Sequence, residues 1–205
     1  MIGAERVVTS GQFSLDGGTW DVDNNVWLYG DEDEVIVIDA AHDAHAIAAA
    51  VGGRPVKAIV CTHAHNDHVN VALELAAELD APVLLHPDDR MLWDAVHDRA
   101  PDGDLTDGEV LTVAGATLTV VHTPGHSPGG VCLVGDGVVF SGDTLFHGGP
   151  GATGRSYSDF PTILDSIRTK LLSLPEDTVV HTGHGDDTTI GAEASSYQEW
   201  VDRGH

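Results

Sequence analysis

Seven consecutive residues constrain this chain more than any others. Thr62-His63-Ala64-His65-Asn66-Asp67-His68 follows an apolar run, Val56–Val60, that reads as a buried strand, and precedes a helical pattern beginning at Val69. Side chains two apart in an extended segment project to the same side, so His63 and His65 can grip one cation together. Asp67 and His68 lie past the turn into the helix, point elsewhere, and can address a second cation a few ångströms away. Imidazole nitrogen and carboxylate oxygen suit Zn²⁺, Fe²⁺ or Mn²⁺, whereas Ca²⁺ and Mg²⁺ want oxygen alone. The bland alternative is a polar helix-capping turn that holds three histidines by chance.

The other apolar runs argue against chance. Val35–Ile38 is continuously apolar, as in a strand covered on both faces, and pairs in the pattern with residues 25–29 across the acidic turn Asp31-Glu32-Asp33-Glu34. Residues 69–79 carry apolar side chains on one helical face, residues 82–85 read as a short strand and residues 87–98 as a helix. Hairpins are expected around Ala114-Gly115 and Gly135-Asp136-Gly137, followed by a helix over 159–172, a strand over 178–181 and a closing helix over 190–201. The Asp136-Gly137 turn demands an antiparallel neighbour, so two mixed sheets packed face to face and covered by helices fit better than one parallel sheet. Asp39 follows the 35–38 strand, the seven-residue run follows the next, and His126, Asp143 and His184 each follow a later one. Five strands thus deliver a metal-competent side chain at their carboxyl ends.

Composition narrows the partners. Nine Lys and Arg stand against 33 Asp and Glu, a net charge of −24 with histidine neutral. Such a surface repels phosphates and anionic lipid heads, which removes nucleic acid as an expected partner. No stretch approaches the roughly 18 apolar residues of a membrane helix, and none resembles the apolar core of a signal peptide. Cys61 and Cys132 lie in apolar runs and read as small buried hydrophobes of a reducing, cytoplasmic compartment. The 205 residues, with no repeat and no linker, are expected to form a single domain, 1–205, as a monomer or homodimer.

The His63–His68 run, with His126 in His122-Thr123-Pro124-Gly125-His126-Ser127-Pro128-Gly129, Asp143 in Ser141-Gly142-Asp143-Thr144 and His184 in Thr182-Gly183-His184-Gly185, resembles the metallo-β-lactamase superfamily. The resemblance covers nearly the whole chain, and Asp39 looks like the first of five motifs in order. Gly154-Arg155 to Asp159-Phe160-Pro161 and the ending Gly183-His184-Gly185 with Thr188-Thr189-Ile190-Gly191 are similar to the glyoxalase II-like thioesterases within it. The resemblance implies an α/β fold, a four-layer αββα sandwich with mixed sheets and helices on both outer faces. It implies two divalent ions, zinc foremost with iron or manganese possible in kind, one held by His63, His65 and His126 and the other by Asp67, His68 and His184. Asp143 would bridge them and Asp39 would stand behind, orienting the ligands. Asp67 and Asp143 would be the catalytic carboxylates, since two cations bring +4, these acids return −2, and a shared water is acidified to a hydroxide that attacks a carbonyl.

The implied activity is hydrolysis of a thioester of a low-molecular-weight thiol. Longer glyoxalase II enzymes add a C-terminal helical region that holds glutathione; here only 21 residues follow His184, with Arg203 their sole cation, so that region is not expected. The alternatives are a mononuclear iron persulfide dioxygenase using His63, His126 and Asp143, and a lactone or ester hydrolase. Substrate contact is expected from the loop after Asp143, through His147, Arg155 and Tyr157, with an Arg155–Asp159 ion pair pinning it. Glycines from Gly148 to Gly154 read as a flexible rim, since no phosphate-loop context surrounds them. His122 and His181 read as structural, and His42, His45, His86 and His97 as solvated or capping residues.

Overall fold

The computed structural model describes residues 1–204 and arranges the apolar runs in two six-stranded sheets. The first sheet follows chain order: β1 (Gly3–Leu15), β2 (Gly18–Gly30), β3 (Val35–Ile38), β4 (Val56–Val60), β5 (Val83–Leu85) and β6 (Gly103–Asp104). Its first three strands pair antiparallel, and β3 to β6 run parallel. The parallel part needs crossovers, supplied by α1 (Ala44–Val51) and by α2 (Asn66–Val69) with α3 (Ala72–Leu79). A 3₁₀ turn, Pro87–Asp89, leads into the single-turn α4 (Arg90–Trp93) before β6.

The second sheet contains β7 (Val110–Val113), β8 (Ala116–His122), β9 (Val131–Gly135), β10 (Val138–Gly142), β13 (Val179–Thr182) and β14 (Thr188–Thr189), in the order β14-β13-β10-β9-β8-β7. Only the β10–β13 pair is parallel. A two-stranded hairpin, β11 (Leu145–Phe146) and β12 (Gly149–Pro150), leaves the end of β10. The remaining helices are α5 (Phe160–Ser166), α6 (Ile190–Ala194) and α7 (Tyr197–Arg203).

Layering follows from which face each side chain buries. Val35 and Val37 join a cluster with Ile47, Val51, Leu75 and Trp93 of the helices outside the first sheet. Ile36 and Ile38 point the other way, into a cluster with Leu118, Val120, Leu133 and Phe140 of the second sheet. A third cluster joins Cys132, Val139 and Val180 to Ile163, Ile167 and Trp200 of the far helices. Three apolar clusters separate four layers, helix–sheet–sheet–helix, and the two-residue period of β3 serves two of them. Among the described residues no helix is long and apolar enough to cross a membrane.

Several element bounds differ from the sequence reading. Of the largest element the sequence reading takes only residues 25–29: β1 and β2 form a hairpin of 13-residue strands in perfect register, turning at Asp16-Gly17, both with positive φ. Most of β1 is exposed, so no apolar alternation marks it, and the Asp-Gly pair between Phe13 and Trp20 was the legible signal. The helix expected over 69–79 starts earlier, at Asn66, and breaks around Asn70 and Val71. That expected over 87–98 shrinks to two short turns, that over 159–172 passes from α5 into a π-type segment, Ile167–Leu171, and the closing helix splits at Ser195 and Ser196.

Phe140 binds the two sheets together: it is fully buried, with ring centroids 5.3 Å from Tyr29 and 6.1 Å from Trp27. Phe140→Ala is expected to cost about 3–5 kcal/mol, read as a lower urea midpoint at unchanged slope.

Candidate metal centre

The two sheets bring their carboxyl strand ends to one rim. Asp39 follows β3, His63 and His65 follow β4, and Asp67 and His68 lie in the first turn of α2. Across the sandwich, Asp143 follows β10 and His184 follows β13, while His126 sits in the loop between β8 and β9. Backbone bonds fasten the halves: Val131 N donates to Thr62 O at 2.8 Å and Asn25 N to Gly183 O at 2.8 Å.

Donor atoms of His63, His65 and His126 gather in one group, and those of Asp67, His68 and His184 in another, each within 4.8 Å. Asp143 lies between, 3.5 Å from His126 Nε2, 3.3 Å from His68 Nε2 and 3.4 Å from His184 Nε2. His65 Nδ1 is 3.0 Å from His126 Nε2, and His68 Nε2 is 3.1 Å from His184 Nε2. Imidazoles bind zinc at about 2.0–2.1 Å, so nitrogens this close can share one ion. The donor set fits divalent cations on a further observation. His63 Nε2, Asp67 Oδ1 and Asp143 Oδ1 are buried without a hydrogen-bond partner, a cost that a cation in their midst would remove.

Four imidazoles have their tautomer set from behind. His68 Nδ1 donates to Asp39 Oδ2 (2.9 Å), His126 Nδ1 to Ala152 O (2.8 Å) and His184 Nδ1 to Asp23 O (2.7 Å). The Thr62 hydroxyl donates to Asp39 and therefore accepts from His63 Nδ1 (3.1 Å). Each ring then turns its Nε2 lone pair inward, which is what ligation requires. Asp39 itself adopts φ 63°, a left-handed turn that an aspartate tolerates and that carries its carboxylate under both Thr62 and His68.

Charge in the site follows from burial and crowding. Burial pushes the His63 and His65 imidazoles down, His65 to about 3, and neighbouring histidines add to it. Burial acts the same way on His68 and His184, but Asp143 and the other carboxylates override it and raise both. Asp67 and Asp143 show the mirror image, their burial penalty overcome by His68 and His184 so that both are held low. The two carboxylates thus stabilise positive charge beside them, for which protons and divalent ions compete.

A cavity of about 320 Å³ opens over these groups, lined also by Phe13, Trp20, Val22, Phe146, Ala152 and Arg155. The β1–β2 hairpin forms its roof. Asn66 fastens the hairpin to α2 through Ser14 N and Gln12 O, and Ser156 N ties its tip through Asp16. Of the expected substrate residues, the structure brings only Arg155 to the cavity. His147 and Gly148 form the turn of the β11–β12 hairpin, so Phe146 faces the cavity and His147 points to solvent. Tyr157 takes φ 69° and is 56% exposed. The Arg155–Asp159 pair does not form: Asp159 caps α5 by accepting from Thr162 N, and the Arg155 guanidinium lies 3.9 Å from the Trp20 ring centre.

A family model of the metallo-β-lactamase superfamily matches residues 19–184. The chain belongs to that superfamily. It is 32% identical over 187 residues to a protein named hydroxyacylglutathione hydrolase GloC from Haemophilus influenzae, covering 82% of this chain and 88% of that one. Its fold matches the crystal structure of BLEG-1 B3 metallo-β-lactamase with a TM-score of 0.81 and 31% identity, over 94% of this chain and 100% of that one. It also matches TTHA1623, solved in a di-iron-bound form, with a TM-score of 0.76 and 34% identity, over 84% and 93%. The αββα architecture expected of the superfamily is the one this chain adopts.

Residues that the sequence reading passed over complete the candidate site of this superfamily member. Asp89, fully buried, accepts from Ala64 N and Ser127 Oγ at 2.8 Å and from Gly129 N, tying the loop of His63 and His65 to the loop of His126. Between Asp88 and Arg90 it carries no sequence signal that sets it apart from a solvated acid. Asp23, Asn24 and Asn25, a polar run entering an apolar strand, all bond across the rim. A further cluster of His86, Asp88 and His122 lies apart, but its imidazoles stack at 8° with centroids 4.1 Å apart, so their in-plane lone pairs run parallel and do not converge on one ion.

Asp89→Asn places an amide N–H against at least one of three donors and is expected to cost about 2–3 kcal/mol, the penalty of a buried unsatisfied group, measured by denaturant unfolding. Gly183→Ala puts a Cβ 2.3 Å from Asp143 Oδ1 and 2.8 Å from His68 Cε1. It is expected to lower metal content by elemental analysis while leaving the far-ultraviolet dichroism spectrum unchanged.

Proposed function

We propose that this protein is a dinuclear metal-dependent hydrolase that cleaves a thioester of a low-molecular-weight thiol. The observation that carries the reading is the meeting of two donor groups in one cavity, joined by Asp143. His63, His65 and His126 would hold one ion, Asp67, His68 and His184 the other, with Asp143 common to both. Such ions supply Lewis acidity toward a carbonyl oxygen and bring the pKa of water from about 15.7 to about 7. Zinc suits the mixed nitrogen and oxygen donors, as do iron and manganese, and the di-iron form of the TTHA1623 relative supports an iron pair as well.

The chain's own groups narrow the substrate. Every titratable side chain lining the cavity belongs to the two donor groups, apart from Arg155. Among the described residues none is left over to protonate a departing amine or alkoxide. A thiolate, with a parent pKa near 8.5, departs without that help. Phe13, Trp20 and Phe146 offer apolar rings that pack the substrate and exclude water. The Arg155 guanidinium, held over Trp20 by cation–π contact, donates to no protein acceptor among the described residues, and so is free to take a carboxylate of the thiol carrier. The hydroxyacylglutathione hydrolase name of the Haemophilus relative supports the same substrate class.

Purified protein is expected to carry close to two divalent ions per chain and to hydrolyse acyl-glutathione or a comparable acyl-thiol in a panel of thioesters, lactones and persulfides. Asp67→Ala should abolish turnover while leaving folding nearly intact. A single iron with oxygen uptake on a persulfide would overturn the proposal in favour of a dioxygenase, and turnover of lactones alone would overturn its substrate class.

A further inference from the structure

Asn24 is fully buried midway along β2, and its Nδ2 lies 3.0 Å from Asp67 Oδ2. Its other amide atom, Oδ1, lies 2.9 Å from His42 Nε2. His42 Nδ1 in turn is 3.0 Å from Asn70 Nδ2, and His42 N is 2.7 Å from Asn70 Oδ1.

One unambiguous donor sets the direction of the whole chain of bonds. A backbone N–H can only donate, so Asn70 Oδ1 is the acceptor from His42 N and Asn70 Nδ2 must donate to His42 Nδ1. Accepting at Nδ1 puts the ring proton on Nε2, which donates to Asn24 Oδ1. Asn24 Nδ2 is then left to donate to Asp67, whose carboxylate can only accept. Both ends agree, and the polarity is complete with His42 neutral. The backbone is shaped around this ring. His42 holds φ 63°, a conformation histidine adopts more readily than most residues. Gly11 of β1 lies so close that a Cβ there would fall 2.2 Å from His42 Nδ1.

We propose that His42 and Asn24 are positioning residues for Asp67: Asn70, His42 and Asn24 form a directed hydrogen-bond relay that orients the Asp67 carboxylate toward His68 and His184 and so sets the affinity of that half of the site for its ion. Asp67 Oδ2, the relay's acceptor, is also the oxygen 3.4 Å from His184 Nε2 and 3.5 Å from His68 Nε2. The other half draws its outer support elsewhere, from Thr62, Asp89 and Ala152. The relay therefore acts on one ion and not on both.

The inference rests on the two-ion reading, and the test separates them. Apoprotein is titrated with zinc in competition with a chromophoric chelator, with His126→Ala and His184→Ala marking which binding step belongs to which half. Asn24→Ala removes the donor to Asp67; His42→Asn keeps a residue that tolerates positive φ but cannot reach Asn24. Both are expected to weaken by roughly 10- to 100-fold the step that His184→Ala abolishes, and to leave the step marked by His126→Ala unchanged. The double variant should be no weaker than Asn24→Ala alone, because the two act in series. Unchanged affinities in either single variant, or equal weakening of both steps, would overturn the relay. Wild-type protein that binds one zinc would overturn the two-ion reading itself, and the relay with it.

Discussion

Seven nitrogen and oxygen donors crowd within contact of one another at the rim of this sandwich, and the surrounding structure is what keeps them there. Left to themselves, such groups would turn to water or to each other. Asp39 prevents it by accepting from Thr62 N, the Thr62 hydroxyl and His68 Nδ1, so that a single carboxylate orients ligands in two separate elements. Asp89 does the same for the His63 and His126 loops, and the polar middle of β2, at Asp23 and Asn24, for His184 and Asp67. The rings of His63, His68, His126 and His184 are held from the side away from the site, which leaves their inner nitrogens committed to whatever occupies the centre.

That arrangement needs both sheets. The first supplies His63, His65, Asp67 and His68, the second Asp143 and His184, and the apolar layer between them, with Phe140 against Trp27 and Tyr29, sets their separation. Small residues are required where the halves touch: Gly142 approaches Thr62 within 2.4 Å of where a Cβ would sit, and Gly183 packs under Asp143 and His68. The hairpin β1–β2 then closes the cavity, bringing Phe13 and Trp20 over the ligands and stacking Trp20 with Arg155 from the opposite loop. With a net charge of −24 and only nine basic residues, a guanidinium placed at that mouth is where an anionic carrier would meet attraction.

Much of the metal centre could be read from the chain because its signals are local. His63 and His65 sit two apart at a strand end, Asp67 and His68 one turn further on, and Asp143 and His184 each follow an apolar run, so each is marked as a strand-end residue before the sheets are packed. Residues holding these ligands from behind were another matter. Asp89 and Asn24 look like ordinary polar residues until 25 and 43 positions of chain are folded back on them. His42 looks like a solvated residue of an ordinary turn, yet it is wedged against Gly11 between two asparagines. His147 and Tyr157 were expected at the substrate by position in a loop, and a two-residue turn and a positive φ turned them away.

By itself the sequence determined the layered α/β class and singled out the seven metal-competent side chains that meet at the rim, because hydrophobic period and the spacing of such residues are properties of neighbours along the chain. Only the tertiary structure decided which nitrogen each histidine presents, which polar residues fasten the rim, and that a long exposed hairpin roofs the cavity. Those features depend on contacts between residues far apart in sequence, whose hydrogen-bond direction and steric fit exist only once the two sheets have packed.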